Sequence, residues 1–335
     1  MTDSELAIAA SGLTRRYGST VAVDRVDLEV PVGGVFAVLG TNGAGKTTTV
    51  RMLATLERPD SGSATVFGHD VRTSAGIVRS MIGVTGQYAS VDEDLTAEEN
   101  LLIFARLVGA SRRRARGRAA ELLDEFGLGY AARRQVRGFS GGMRRRLDLA
   151  ASMITRPRLL FLDEPTTGLD PRTRAQMWDT VRAMVAAGST VLLTTQYLDE
   201  ADALADRVAV MDRGKVVANG TVDELKAKVG GSSVKLTLVD STQAIAAART
   251  CAAFSPLEVT VEDDGNIVSV PMPDIERLPE MLLALRSMQI SASAVNVARP
   301  TLDDVFFELT DASPRVLDSV PSITGARTTS KEPAA

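Results

Sequence analysis

The sequence predicts an α/β fold, a mixed sheet core with an antiparallel edge and a helical insertion, followed by a small α+β domain. Three observations carry this expectation. Continuous apolar runs recur at Val35–Leu39, Ile82–Thr85, residues 159–162 and residues 190–194, and runs of this length and type are buried strands. A glycine-rich loop follows the first run and opens a stretch in which Val50, Leu53 and Ala54 fall at helical spacing. From about residue 233 the texture changes to a second alternation of strands and helices.

The loop, Gly40-Thr41-Asn42-Gly43-Ala44-Gly45-Lys46-Thr47, reads as G-x-x-x-x-G-K-[ST]. Three glycines let the backbone turn back and point successive N–H groups inward, which makes a nest for phosphate oxygens. Lys46 then reaches the β- and γ-phosphates, and the Thr47 hydroxyl is placed to hold Mg²⁺. The strand before it and the helix after it supply the context, because a helix N-terminus favours anions. A mere Gly-rich turn needs neither.

With 335 residues and 44% hydrophobic content, the chain suffices for two domains and a sizeable core. Its formal charge of −4 argues against a generic nucleic-acid binder, whose domain is strongly basic. The single cysteine, Cys251, excludes an intramolecular disulfide and a Cys-rich zinc site, as expected of a reducing compartment. Met1-Thr2-Asp3-Ser4-Glu5 is acidic and shows no signal-peptide pattern. No apolar stretch approaches the ~18 residues of a membrane span. Any work at a membrane is therefore expected from the cytosol and through a partner.

Residues 7–17 begin apolar and end in Arg15-Arg16-Tyr17-Gly18, and Val26-Asp27-Leu28-Glu29-Val30 alternates as a half-exposed strand does, so together they predict the antiparallel edge. Tyr17 either lays its ring over an adenine base or is an ordinary half-buried tyrosine. Beyond the loop helix come a turn cluster at residues 57–62, a strand at 64–67 and a further turn carrying His69, read as a surface loop residue. Gln87 stands past the C-terminal end of Ile82–Thr85. Ligands of open α/β sheets sit beyond that end, so Gln87 can reach the γ-phosphate, its Mg²⁺ or the attacking water.

Residues 97–155 switch to helical periodicity, through Leu101, Leu102, Phe104, Ala105 and Val108 and then Ala119, Leu122, Leu123 and Phe126. This is the helical insertion, spanning about residues 92–155. It contains a basic run, Arg112, Arg113, Arg114, Arg116 and Arg118. Glu121, Asp124 and Glu125 follow at once and no aromatic residue interleaves the arginines, which favours a solvated face that can lie near lipid headgroups over a nucleic-acid site. Phe139-Ser140-Gly141-Gly142-Met143 then opens another helix, a second anion-binding terminus with N–H groups and a hydroxyl donor.

Leu159-Leu160-Phe161-Leu162-Asp163-Glu164 is an apolar strand ending in two carboxylates. It delivers Asp163 to the Mg²⁺ beside the loop and leaves Glu164 to polarise a water for in-line attack. Residues 165–171 read as a loop, 172–186 as a helix and 190–194 as a strand with Gln196 at its C-terminal end, on the same edge of the sheet. Residues 207–211 and 215–218 join through Asp212-Arg213-Gly214 as a closing hairpin. Further on, strand 234–238, helix 243–253, a hairpin over 257–270 turning at Asp263-Asp264-Gly265-Asn266, helix 275–288 and strand 290–297 give the order β-α-β-β-α-β, which is ferredoxin-like. A helix at 303–309 follows. The expected domains are therefore 1–230 and 231–310, with an aperiodic and disordered tail over 311–335.

Together these residues, across about positions 7–228, resemble the ATP-binding subunit of an ABC transporter. Gly40 to Thr47 stands as Walker A, Gln87 as the Q-loop, Phe139 to Met143 as the signature, Leu159 to Glu164 as Walker B with its catalytic Glu, and Gly168-Leu169-Asp170 as the D-loop. Val84-Thr85-Gly86-Gln87-Tyr88-Ala89-Ser90, Ser140-Gly141-Gly142-Met143-Arg144-Arg145-Arg146-Leu147-Asp148, Thr194-Thr195-Gln196-Tyr197-Leu198-Asp199-Glu200 and Pro300-Thr301-Leu302-Asp303-Asp304-Val305-Phe306 are similar to the daunorubicin-resistance branch, which energises export of anthracycline antibiotics or hydrophobic lipids.

The resemblance implies a P-loop NTPase fold of ABC type and a ferredoxin-like accessory domain for regulation or dimer assembly. It further implies an integral-membrane permease as partner, no nucleic acid, and a peripheral place on the cytoplasmic face of the cell membrane. ATP is expected at Tyr17, Gly40, Asn42, Gly43, Ala44, Gly45, Lys46, Thr47, Thr48 and Asp170 in a head-to-tail homodimer, with Ser140, Gly141 and Gly142 of one subunit completing the site of the other. Mg²⁺ is expected at Thr47, Gln87 and Asp163, and catalysis at Glu164, Gln87 and Gln196.

Two positions depart from the family pattern. Gln196 stands where His is usual, and an amide can hydrogen-bond the γ-phosphate or the water but cannot carry a proton, so Glu164 remains the one general base. Met143 stands where Gln is usual, which removes one polar side chain. A rival class, soluble ABC ATPases of DNA or ribosome metabolism, carries coiled coils, zinc modules or two ATPase halves, and none of these is visible in the sequence. An importer ATPase is disfavoured by Gln196 and the ferredoxin-like region.

Overall fold

The computed structural model describes residues 5–86, 90–229, 232–262, 266–298 and 301–310. Apolar–polar alternation at the start of the chain folds as two long antiparallel strands, β1 (Leu6–Tyr17) and β2 (Thr20–Pro31), paired from Leu6 opposite Pro31 to Tyr17 opposite Thr20. The next strand, β3 (Val35–Leu39), is buried at every position and leads into α1 (Lys46–Leu53). β4 (Ser61–Val66) and β5 (His69–Asp70) complete a four-stranded antiparallel sheet in the order β2-β1-β4-β5. His69 is thus paired with Val66 in a short edge strand, not carried in an open turn, because the chain reverses at Phe67 and Gly68 just before it.

α2 (Ala75–Met81) leads to β6 (Ile82–Thr85). The helical insertion follows as α3 (Ala97–Leu107), α4 (Arg112–Glu125) and α5 (Gly141–Ser152). α3 starts where it does because Thr96 and Glu99 form a reciprocal capping box, which satisfies two orphan N–H groups. The chain then runs through β7 (Leu159–Asp163), α6 (Pro171–Ala186), β8 (Thr190–Thr195), α7 (Leu198–Leu204), β9 (Arg207–Asp212), β10 (Lys215–Thr221) and α8 (Val222–Val229).

A six-stranded sheet in the order β10-β9-β3-β8-β7-β6 forms the centre, parallel throughout except for β10. Successive side chains point to opposite faces. Phe36, Val38 and Phe161 therefore enter the core shared with α1 and the antiparallel sheet, whereas Val35, Ala37, Leu39, Leu160 and Leu162 enter the core shared with the helical insertion. Each of these Val, Leu and Phe side chains contributes about 1.5–3 kcal/mol by burial, and a one-residue slip would exchange the two faces, so the register is firmly set. That register places Leu39 beside Thr195 and Asp163 beside Thr194, so the loop, the two acids and the end of β8 meet at one edge.

The remaining sheet comprises β11 (Ser233–Leu238), β12 (Thr260–Val261), β13 (Ile267–Pro271) and β14 (Ala292–Ala298), antiparallel in the order β12-β13-β11-β14. α9 (Ala244–Cys251) and α10 (Leu278–Ser287) cover it, with Ala247, Cys251 and Met281 packed on Val234, Leu236 and Val268. This is the ferredoxin-like order. The hairpin turn at Asp263-Asp264-Gly265 and the tail 311–335 lie outside the described residues. The last helix, α11 (Leu302–Thr310), returns to α7 and α8, and its Leu302 and Val305 are buried in the same core as Leu225.

Candidate functional site

The loop between β3 and α1 takes its shape from glycines for two different physical reasons. Gly43 and Gly45 adopt φ of 82° and 102°, in the left-handed region that side chains disfavour. Gly40 is required by proximity, since a Cβ there would lie 2.4 Å from the Met211 carbonyl oxygen, and one at Gly45 would lie 2.5 Å from that of Ala22. The Gly40 N–H donates to the Thr195 carbonyl at 3.2 Å, which ties the loop to the end of β8. No side chain caps the start of α1, which leaves the positive end of that helix open to an anion.

Lys46 is 4% exposed, and its ammonium donates to the carbonyls of Gly40 at 2.8 Å and Thr41 at 3.1 Å. The same Nζ lies 3.3 Å from Glu164 Oε1. Asp163, at the end of β7, accepts hydrogen bonds through Oδ1 from the Thr47 hydroxyl at 3.1 Å and the Thr194 hydroxyl at 2.5 Å. Glu164 has φ of 48°, an outlier held by its N–H donating to both the carbonyl and the hydroxyl oxygens of Thr194 at 3.1 Å. Such strain persists only where the surroundings over-determine it, and it concentrates at functional positions. The Thr167 hydroxyl donates to Glu164 Oε2 at 3.3 Å.

These groups border an open cleft of about 290 Å³ lined by Tyr17, Ala22, Asn42, Gly43, Gly45, Lys46, Thr47, Thr48 and Glu164. Tyr17 is 45% exposed on its rim, so it is not buried; its hydroxyl donates to Glu57, and the Arg15 guanidinium lies 5.0 Å from its ring centroid. Gly40 and Ala44 shape the loop from beneath, with the Ala44 carbonyl accepting from Gly214 N–H at 3.0 Å. Gln196 is half-buried immediately after Thr195, outside the group lining the cleft. Gln87 lies outside the described residues.

A second cluster stands apart from that cleft. Ser140 caps α5, its hydroxyl accepting from the Met143 N–H at 3.3 Å, and both Ser140 and Gly141 are exposed. A Cβ on Gly141 would meet nothing within 4 Å, whereas one on Gly142 would strike Thr173 at 2.2 Å. Asp170 caps α6, and hydrogen bonds from the Thr173 hydroxyl and N–H hold its carboxyl below the usual carboxylate range. Met143 is buried in the core of the helical insertion, so its side chain packs.

Arg145 is the residue that sequence reasoning passed over. Its guanidinium donates to the carbonyls of Gly86 at 2.6 Å, Pro165 at 3.0 Å, Asp163 at 3.1 Å and Glu164 at 3.5 Å, and it lies 3.4 Å from Asp148 Oδ2. Burial pulls its basicity down, opposed by Asp148, Asp163 and Glu200. Asp148 is itself 3% exposed and accepts from the Ser90 N–H at 2.7 Å, and burial raises its pKa. Arg145 thus binds α5 to both acids' turn and to Gly86, and Asp148 binds it to Ser90, on either side of residues 87–89. The readable signal was Asp148, a charge set among Leu147, Leu149 and Ala150, which demanded a buried partner. Thr194 was also missed, as one hydroxyl closing an apolar strand.

Among the described residues, no group of three or more His, Cys, Asp or Glu could hold a metal ion by itself. One buried carboxylate and one hydroxyl, Asp163 and Thr47, instead fit Mg²⁺, which takes one or two protein oxygens and completes its shell with phosphate oxygens and water.

Comparison with known proteins agrees with this chemistry. The ABC transporter family profile matches residues 23–167, and the profile of the C-terminal domain of ATP-binding proteins of the DrrA1-3 type matches residues 220–310. The chain is 53% identical to a daunorubicin/doxorubicin resistance ATP-binding protein of Streptomyces peucetius, over 91% of this chain and 92% of that one. It is 43% identical to a doxorubicin resistance ATP-binding protein of Mycobacterium tuberculosis, over 92% and 95% of the two chains. A solved ATP-binding subunit of an ABC transporter superposes with a TM-score of 0.59 and 27% identity, covering 66% of this chain and 92% of that one.

Proposed function

The chain belongs to the ATP-binding proteins of ABC transporters, and from that premise we propose that it binds and hydrolyses ATP to energise export of a hydrophobic drug, an anthracycline-like antibiotic, or of a lipid through a separate membrane permease. The observation that carries the reading is the convergence of Lys46, Thr47 and Glu164 on one cleft, with the buried Asp163 held against Thr47. The relatives named for drug resistance support the choice of cargo class. Among the described residues no helix is long and apolar enough to cross a membrane, which fits a subunit that acts beside a permease. Its place is the cytoplasmic face of the membrane.

In this reading the loop N–H groups and the α1 terminus cradle the phosphates, and Lys46 pairs with the β- and γ-phosphates. Thr47 and Asp163 would hold Mg²⁺, which would supply neutralisation of the charge developing on the phosphate oxygens. Thr194 donates to the same Asp163 Oδ1 that Thr47 meets, fixing the carboxylate, and it pins the Glu164 backbone. A phosphate entering the cradle competes for Lys46 and frees Glu164 to take the proton of an attacking water. Gln196 orients that water or the γ-phosphate through its amide. Tyr17 offers its exposed ring to the base.

The exposed Ser140 and Gly141, set away from the cleft, are used by a second copy in a head-to-tail homodimer whose closure encloses ATP. The residue 87–89 segment and the helical insertion transmit closure to the permease. The test is Glu164→Gln in the assembled transporter. ATP binding is expected to persist while turnover stops and the pair stays closed; hydrolysis at the wild-type rate removes Glu164 as the base.

A further inference from the structure

The α3–α4 hairpin ends in a surface that the nucleotide site does not use. Arg112, Arg113, Arg114 and Arg116 crowd the first turns of α4, all exposed, and among the described residues none of them forms an ion pair. The acids of the helix serve elsewhere: Glu121 and Glu125 lie 3.1 and 3.6 Å from Arg118, and Glu121 lies 3.1 Å from Arg156. This arrangement works against the helix. Cations at an N-terminus oppose the helix dipole, and Arg112 and Arg116 are like charges one turn apart.

Large apolar side chains share that end. Residues 108–111 join the two packed helices, and beside them Leu107 is 77% exposed, Val108 57% and Ile103, one turn earlier, 46%. Local rules broken at the cost of folding mark a functional surface. Uncompensated arginines around exposed aliphatic side chains match an interfacial membrane anchor, with the apolar residues dipping between headgroups and the guanidinium groups bound to phosphates.

We propose that the α3–α4 tip docks the chain onto anionic phospholipid next to the permease, an inference that rests on the reading of the chain as a peripheral transporter subunit. Single-stranded RNA is the poorer match, because no aromatic side chain stands among the arginines to stack on bases. The formal charge of −4 means that the chain as a whole is repelled by an anionic membrane, so attraction has to come from a local patch.

The experiment is co-sedimentation of the full chain with vesicles of equimolar phosphatidylglycerol and phosphatidylcholine, and with vesicles of phosphatidylcholine alone. Wild type is expected to bind the anionic vesicles only. Arg112→Gln/Arg113→Gln/Arg116→Gln is expected to bind them on the order of a hundredfold more weakly, at about fivefold per arginine. Leu107→Ser weakens binding severalfold. Because the triple substitution relieves repulsion, that variant melts no lower than wild type and hydrolyses ATP in solution at the wild-type rate.

Wild type that ignores anionic vesicles, a triple variant that binds them equally well or melts lower, or binding to single-stranded RNA in place of vesicles overturns the proposal. Vesicle binding by a chain whose ATP turnover survives Glu164→Gln would break the functional reading instead and leave this one standing.

Discussion

Replacing Arg145 with Met tests how the candidate site is held. The guanidinium is 11% exposed and binds the carbonyls of Gly86, Asp163, Glu164 and Pro165 together with the 3% exposed Asp148. Met keeps most of the volume but leaves a buried carboxylate without its cation and four carbonyls without their donor. Breaking a buried pair from one side costs about 3–5 kcal/mol. For a domain of this size that corresponds to a fall in melting temperature of roughly 6–20 °C.

Turnover should suffer separately. Arg145 holds the main chain of both acids and does not touch the phosphate loop, so KM for ATP is expected to hold while kcat falls on the order of a hundredfold, as for a misplacement of about 1 Å. Thermal melting and steady-state ATPase assays measure the two effects. Arg145→Met/Asp148→Asn removes the stranded charge while keeping an acceptor for Ser90, and it should recover about half of the lost stability. A single variant that melts with the wild type, or a double variant no better than the single one, refutes the reasoning.

Gly45→Ala should weaken nucleotide binding far more than Gly43→Ala. Both positions have positive φ, but only at Gly45 would the new Cβ meet a carbonyl oxygen, at 2.5 Å; a fluorescent-nucleotide titration giving equal Kd values removes the close approach as the cause. Glu200 is fully buried, accepts from Trp178 Nε1 at 3.3 Å, and has its carboxyl pushed up by burial. A raised carboxyl destabilises the fold most above its folded value and not at all below its unfolded value of about 4.3. Glu200→Gln should therefore melt higher than wild type at mildly alkaline pH, with the gain vanishing as the pH falls; a gain independent of pH assigns the effect to packing. The Cys251 thiol is buried and pushed up to about 11, so an aromatic disulfide reagent at mildly alkaline pH should label the chain only on unfolding. Rapid labelling of the folded chain contradicts that.

What the sequence by itself determined was chemistry encoded in neighbouring residues. Gly40, Gly43 and Gly45 announce a loop of special backbone, and an apolar run ending in Asp163 and Glu164 announces acids at the edge of a buried sheet, because burial on both faces leaves no room for alternation. β11, β13 and β14 with α9 and α10 were legible from periodicity, and the two-residue β12 only from the turn residues of its hairpin. His69 was misplaced because a two-residue strand has no period to detect. Short α2, α7 and α8 also went unread.

Only the tertiary structure decided which polar residues are inside. Arg144, Arg145 and Arg146 look alike in sequence, yet only Arg145 meets the main chain of both acids, 18 and 19 residues on, and that of Gly86, 59 residues back. Thr194 was one of two threonines until parallel pairing set it against Asp163. Tyr17 was an aromatic residue with two readings until the antiparallel sheet carried it to the rim of the cleft beside Asn42 and Lys46. The loop of residues 40–47 is legible because its glycines act on the backbone that bears them. The side chains that hold it act through space, on partners that the chain brings near only once two buried faces of one sheet have been packed.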